Sequence, residues 1–309
     1  MAFNSGWVYR DEVRFDGAGM GVVQFYASNY RHSSANTWRE RLRLGEITLN
    51  GRTARADDVL SAGDRLAWHR PAWNEGAFFD DVPIIYQDAS IVAVDKPSGL
   101  STMPDGGWLE NSLVGWLDRK FGKGAVAPAH RLNRGTSGIV LCARTGEARA
   151  SLAAQFRDKT ARAGKDDAAS GSLPPMEKIY LARSIPYPGG RIGDQLAIDA
   201  PIGAVAHPAL GRVFACTPGG LRARSECEIV EADARSTLWR VRLITGRSHQ
   251  IRAHLASIGA PLLGDTLFRA DGTPNPFALP GDCGYYLRAV KVAFTHPADH
   301  RRLTIEVCR

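Results

Sequence analysis

Apolar positions along the chain alternate between runs with the two-residue period of strands and stretches with helical spacing. Residues 82–86 (VPIIY) and 90–94 (SIVAV) predict two short strands joined by a polar turn, and residues 139–141 (IVL) predict a buried one. Further strands are expected over 178–182, 225–230, 237–243, 287–294 and 303–307, with Trp239, Val241 and Leu243 on one face. Helical spacing appears over 22–30 and 36–44, the second capped by Ser33 or Ser34 and stopped by Gly45. It returns over 109–121, with Leu113, Trp116 and Leu117 inward, and over 147–156, with Ala148, Leu152 and Phe156 four residues apart. A last helix carries the stripe Ile251, Leu255 and Ile258, with Ser248 as its cap and Gly259 as its stop. Asn50-Gly51 between short runs is a type I′ hairpin signal. Residues 157–176, charged, small and rich in Gly and Pro, predict a solvated loop inside a domain.

This order of elements is that of an α+β protein, and 309 residues suffice for one large core and a smaller domain. No run of eighteen apolar residues exists and the N-terminus lacks a basic and an apolar region, so an unexported, cytoplasmic protein without a membrane is expected. Five widely spaced cysteines without a CxxC argue for reduced thiols. A net charge of +7, carried mostly by arginine, favours a polyanionic partner. Other chemistries fall away. Gly17-Ala18-Gly19-Met20-Gly21 has Val22 where a dinucleotide loop needs glycine, and Ser137 lies in no GxSxG elbow. His249 and His254, five residues apart, point to different faces of a helix with no third ligand, so no metal is expected.

The chemistry centres on residues 130–141, HRLNRGTSGIVL, where polar side chains sit at the mouth of a buried strand. HRLNRGTSG resembles the HRLDRxTSG signature of the RluA family of RNA pseudouridine synthases, with Asn133 at the position of the family's aspartate. Other stretches agree: a strand ending in Lys96-Pro97-Ser98-Gly99, similar to KPxG, and 178–182 (KIYLA), similar to KxYxA. Residues 199–203 (DAPIG) and Gly264-Asp265 resemble family turns, and 245–255 (TGRSHQIRAHL) resembles TGRTHQIRxHL. The likeness spans residues 82–307, and the segment from Trp38 to Trp68 resembles a small alpha-L RNA-binding domain.

The resemblance implies a large mixed, mainly antiparallel central sheet with flanking helices at residues 76–309, preceded by the small RNA-binding domain at 1–75. It also implies isomerisation of uridine to pseudouridine in structured RNA, ribosomal or transfer, by base flipping, with no cofactor and no obligate protein partner. By analogy Tyr180 stacks on the uracil, Arg131 enters the space left by the flipped base, and Arg247 pairs with the catalytic carboxylate from a buried position. His130, Arg134, Arg39, Arg43 and Arg252 are the expected RNA contacts.

An amide at 133 keeps the shape of aspartate but is not an anion and is a poor nucleophile. Three explanations stay open: a change that traps substrate, a natural RNA-binding pseudoenzyme, or service by another acid, for which Asp95, Asp199 and Asp265 are the candidates. An unpaired buried Arg247 would cost roughly 3–5 kcal/mol, so an acid or a phosphate is expected beside it.

Overall fold

A computed structural model describes residues 3–30, 32–76, 79–162, 176–208, 210–278 and 283–308. The chain divides into two compact units, Met1–Phe78 and Phe79–Arg309. The first contains β1 (Trp7–Glu12), α1 (Val22–Asn29), α2 (Ala35–Arg43), β2 (Ile47–Leu49), β3 (Arg52–Thr53) and β4 (Arg65–Arg70), its strands forming a sheet in the order β1-β4-β2-β3. Ser34 caps α2 by accepting from the Thr37 N–H, and Asn50 and Gly51 both take positive φ, as the hairpin between β2 and β3 requires. Trp38, Ile47, Leu60 and Leu66 fill its core, where Trp38 stacks on Tyr26 at 4.6 Å.

The second unit contains β5 (Ile84–Gln87), β6 (Ile91–Lys96), α3 (Leu113–Phe121), β7 (Ala127–Pro128), β8 (Ser137–Ala143), α4 (Gly146–Arg162) and β9 (Glu177–Ser184). These are followed by β10 (Gln195–Ile198), β11 (Ile202–His207), β12 (Gly211–Cys216), β13 (Ser225–Ala232), β14 (Thr237–Leu243), α5 (Gln250–Ser257), β15 (Leu287–Thr295) and β16 (Arg302–Glu306). Among the described residues a ten-stranded sheet runs β10-β13-β14-β9-β15-β8-β6-β5, with β16 on β15 and β7 on β8, and β11 and β12 pair alone. Every pairing is antiparallel except β8 with β15, which makes this the expected mixed, mainly antiparallel α+β sheet.

At β6 and β8 both faces of that sheet are buried, which explains why residues 91–94 and 139–143 are continuously apolar, whereas β13 and β14 alternate. Val140 and Cys142 join a cluster with Leu113, Leu117, Tyr180 and Leu255 on one face. Ile139 and Leu141 join Leu152 and Phe294 on the other. Where β8 begins its parallel contact, Gly138 has φ +106° and a Cβ there would lie 2.1 Å from the Ala289 carbonyl oxygen, so no side chain fits.

Two helices differ in extent from the sequence pattern. α3 starts at Leu113 because Ser112 caps it by accepting from Gly115 N–H, leaving residues 109–111 outside. α4 continues to Arg162, past the expected end at 156, and residues 163–175 of the expected loop lie outside the described residues. No helix among the described residues is long and apolar enough to cross a membrane.

Candidate active site

The stretch that carries Asn133 is held in place by side chains upstream of it. Thr102, almost wholly buried, uses one hydroxyl twice: it donates to the Leu132 carbonyl at 2.8 Å and accepts from the Leu132 N–H at 3.1 Å. Ser98 Oγ donates to the Gly135 carbonyl at 2.9 Å, and the Gly99 N–H donates to the Arg134 carbonyl at 2.8 Å. Lys96, fully buried, donates to the carbonyls of Leu100 (2.7 Å), Pro97 (2.9 Å) and Arg134 (3.4 Å). Burial, then the nearby Arg134 guanidinium, pulls its pKa down to about 7, while three carbonyl oxygens suit the three hydrogens of an ammonium. The Lys-Pro-Ser-Gly turn is thus a clamp on the backbone of the HRLNRG stretch. The Thr136 N–H donating to the Asn133 carbonyl at 3.0 Å then closes the turn that presents the Asn133 side chain.

The second long motif is organised by Gln250. Its Oε1 accepts from the Arg247 N–H (2.9 Å) and the Thr245 hydroxyl (2.7 Å), and its Nε2 donates to the Arg224 carbonyl (2.9 Å) and Ser225 Oγ (3.0 Å). These bonds consume the whole amide and fix the Arg247 backbone. α5 is not capped by Ser248, as its sequence position suggested; the cap is His249, in the left-handed region at φ 57°. The His249 ring sits edge-on to Phe214 and Phe268, and burial, then the Arg252 charge, pushes its pKa down to about 4.

Asn133, Tyr180, Arg131 and Arg247, separate in sequence, line one cleft of about 430 Å³. Tyr180 comes from β9, buried in the sheet, and burial raises the pKa of its phenol, which stays protonated. Arg131 is exposed at the mouth and Asn133 is half-buried. No aspartate or glutamate is among the described residues lining this cleft, whereas four arginines are. Its chemistry is that of a neutral amide, an aromatic face and cations, suited to an anionic, planar ligand.

The sequence expectations for several residues change here. Arg247 is half-buried, and its Nε donates to the Arg222 carbonyl at 3.1 Å, so it does not carry the cost of a buried unpaired cation. Arg252, expected at a phosphate, is buried and grips Asp265 through both Nε and Nη2 at 2.7 Å. The Arg134 guanidinium sits over the Trp108 ring, its central carbon 3.8 Å from the centroid, with Nη1 3.1 Å from Cys283 Sγ. His130 packs on Phe156, and its Nε2 accepts from the Leu141 N–H at 3.0 Å; burial, then the Lys178 charge, drops its pKa well below the usual value. On this geometry it binds the backbone in the interior of β8. The three candidate acids are all engaged: Asp265 with Arg252, Asp95 with Arg288 at 2.7 and 3.0 Å, and the exposed Asp199 with Arg224 at 2.6 Å.

The sequence marked Pro97 and Gly99 as shaping a turn and gave Lys96 and Ser98 no role of their own; neither Thr102 as the support of Leu132 nor Gln250, Arg212 and Phe214 as cleft residues were legible in it. Gln250 stood in plain view within the matched motif. The hairpin residues had no local signal, because only the chain's return places them at the cleft.

A large mixed sheet with a cleft built from these motifs defines an RNA-modifying enzyme of the pseudouridine synthase class. The family model for RNA pseudouridylate synthase matches residues 90–257. The chain is 33% identical to RNA pseudouridine synthase 5 of Oryza sativa subsp. japonica, over 98% of this chain and 87% of that protein. It is 30% identical to ribosomal large subunit pseudouridine synthase D of Pseudomonas aeruginosa, over 83% of this chain and 76% of that one. Among solved structures, human RNA pseudouridylate synthase domain containing 1 shares the fold, with a TM-score of 0.55 at 19% identity over 76% of this chain and 86% of that one. The chain belongs to the RNA pseudouridylate synthase family, RluA type, and its reaction class is isomerisation of uridine in RNA.

Proposed function

We propose that the cleft receives a uridine extruded from structured RNA, ribosomal or transfer, and that Asn133 stands where the family's aspartate acts. The observation that carries this is the convergence of Asn133, Tyr180, Arg131 and Arg247 on one cleft with no acid among its described lining residues. Tyr180 is the stacking face for the uracil, Arg131 at the mouth fills the vacated position in the RNA, and Arg247 holds the base or a phosphate. Pseudouridine formation breaks the bond from ribose C1′ to uracil N1 and makes one to C5, with the C5 proton released and a proton taken up at N1. A carboxylate is suited to start that sequence and an amide is not. Because Asp95, Asp199 and Asp265 are each paired with an arginine and none lines the cleft, no other acid is offered as a substitute.

On this reading the protein as it stands binds and extrudes uridine but turns it over slower by a factor of about 10⁴, equal to about 5.5 kcal/mol of barrier. The first unit contributes a basic RNA-binding surface through the exposed Arg39 and Arg43 of α2, the latter also paired with Glu40 at 2.7 Å. The test is tritium release from RNA labelled at uridine C5. Asn133→Asp should raise release by orders of magnitude at unchanged RNA affinity. Full release by the unsubstituted protein, lost in a folded Asp95→Asn or Asp199→Asn variant, would overturn the assignment. Binding without release in both proteins would favour a pseudoenzyme whose role is to hold or remodel RNA.

A further inference from the structure

We propose that the β11–β12 hairpin forms the wall of the cleft that reads the nucleotide next to the target uridine, with Phe214 as a stacking face and Arg212 as a phosphate contact. The inference rests on the cleft taking a uridine from RNA, as proposed above, and adds a specificity site to it.

The register of β12 separates two sets of side chains. Val213 and Ala215 are buried in a cluster with Ala253 and Ala256 of α5. The alternate positions, Arg212 and Phe214, line the same cleft as Asn133 and Tyr180, with Phe214 also packing in part against that cluster. These two strands pair only with each other among the described residues, so the hairpin is not part of the central sheet.

It is nonetheless anchored. His207 Nε2 lies 2.8 Å from the Asn275 carbonyl oxygen, and the Leu210 N–H donates to His207 Nδ1 at 3.1 Å. The Phe214 ring meets the His249 ring edge-on, with centroids 6.5 Å apart at 82°. Phe214 is half-exposed and meets a residue of the second matched motif in a T-shaped contact.

Arg212 is exposed, and its guanidinium makes no hydrogen bond or ion pair among the described residues. The contrast with Arg252, Arg134 and Arg224, which are all spent on protein partners, is informative. A planar apolar ring beside an uncommitted planar cation, in a cleft with no acid among its described lining residues, matches the two chemical parts of a nucleotide, its base and its phosphate. Phe214 carries no hydrogen-bonding group, so it selects by stacking strength, and stacking is strongest for purines.

The experiment is selection from a pool of RNA stem-loops with randomised loop nucleotides around a fixed uridine or, in parallel, a fixed cytidine. The full-length protein should prefer the uridine pool and enrich a purine beside the uridine by roughly threefold or more. Phe214→Leu, which keeps much of the apolar volume, should retain the uridine preference and lose the purine preference. Arg212→Ala, a surface change, should weaken binding uniformly and reduce the slope of log affinity against log salt by about one. Uridine preference without a purine preference, a purine preference that survives in Phe214→Leu, or an unchanged salt slope in Arg212→Ala would each overturn the proposal. If the two pools bind equally, the reading of the cleft as a uridine site fails instead, and this site falls with it.

Discussion

Arg252 and Asp265 face each other inside the protein, joined by two charge-assisted hydrogen bonds of 2.7 Å, with the Asp265 side chain wholly out of solvent. Asp265 Oδ1 also accepts from the Leu267 N–H at 2.8 Å. An arginine of α5, inside the second matched motif, is thereby tied to the turn at Gly264-Asp265. The guanidinium further lies 4.4 Å from the Tyr285 ring centroid, and a Cβ on Gly135 would come within 2.8 Å of that ring. The pair therefore acts on the HRLNRG turn by packing, through Tyr285.

Asp265→Asn should destabilise the protein by roughly 3–5 kcal/mol, because it leaves a buried guanidinium without its anion. Urea denaturation reads this as a lowered midpoint. A loss below about 1 kcal/mol would mean that the pair is solvated and has no such structural role.

Lys96→Met should cost about 2 kcal/mol or more, since the carbonyls of Pro97, Leu100 and Arg134 lose their shared donor in a buried place. The same change should lower uridine turnover in an Asn133→Asp background, because the clamp on the Arg134 backbone is gone. Lys96→Arg is not expected to rescue it, as a guanidinium does not fit the same three acceptors. Equal turnover in Lys96→Met and its parent would refute the clamp.

Acid should weaken the fold before its carboxylates titrate. His130 and His249 both have pKa values lowered by folding, the second to about 4, against an ordinary value of 6.5. Each contributes stability that is present above 6.5 and is lost as pH falls, since the unfolded chain takes up the proton that the folded one refuses. For His249 the window runs from 6.5 to about 4, at up to about 1.4 kcal/mol per pH unit. Stability measured across that window should fall, and fall less steeply in His249→Gln. A slope that is identical in the variant counts against a buried neutral His249.

RNA affinity should drop linearly with the logarithm of salt, and the arginines should divide into two groups. Arg131→Ala, at the exposed mouth of the cleft, should reduce the slope by about one. Arg134→Lys, which disturbs the stack on Trp108, should change stability and leave the slope as it was. A reduced slope in the second variant would show that Arg134 also meets a phosphate.

Much of this protein was legible locally. Buried strands such as β6 and β8, the Asn50-Gly51 hairpin and the apolar stripe of α5 follow from periodicity and turn chemistry, which depend on neighbours a few residues away. The mixed sheet and the family follow from motifs whose residues are adjacent in the chain. Which arginines are free does not follow from the chain at all. Arg131, Arg134, Arg247 and Arg252 all lie within the two matched motifs, yet one is exposed, one is stacked on Trp108, one is bonded to a carbonyl and one is locked to Asp265. The partners come from turns far away in sequence, so burial and pairing are set by the folded whole. For the same reason Asp95, Asp199 and Asp265 looked interchangeable in the sequence. Their separate arginine partners, one from α5, one from β15 and one from the segment just before β13, engage them away from the lining of the cleft that holds Asn133.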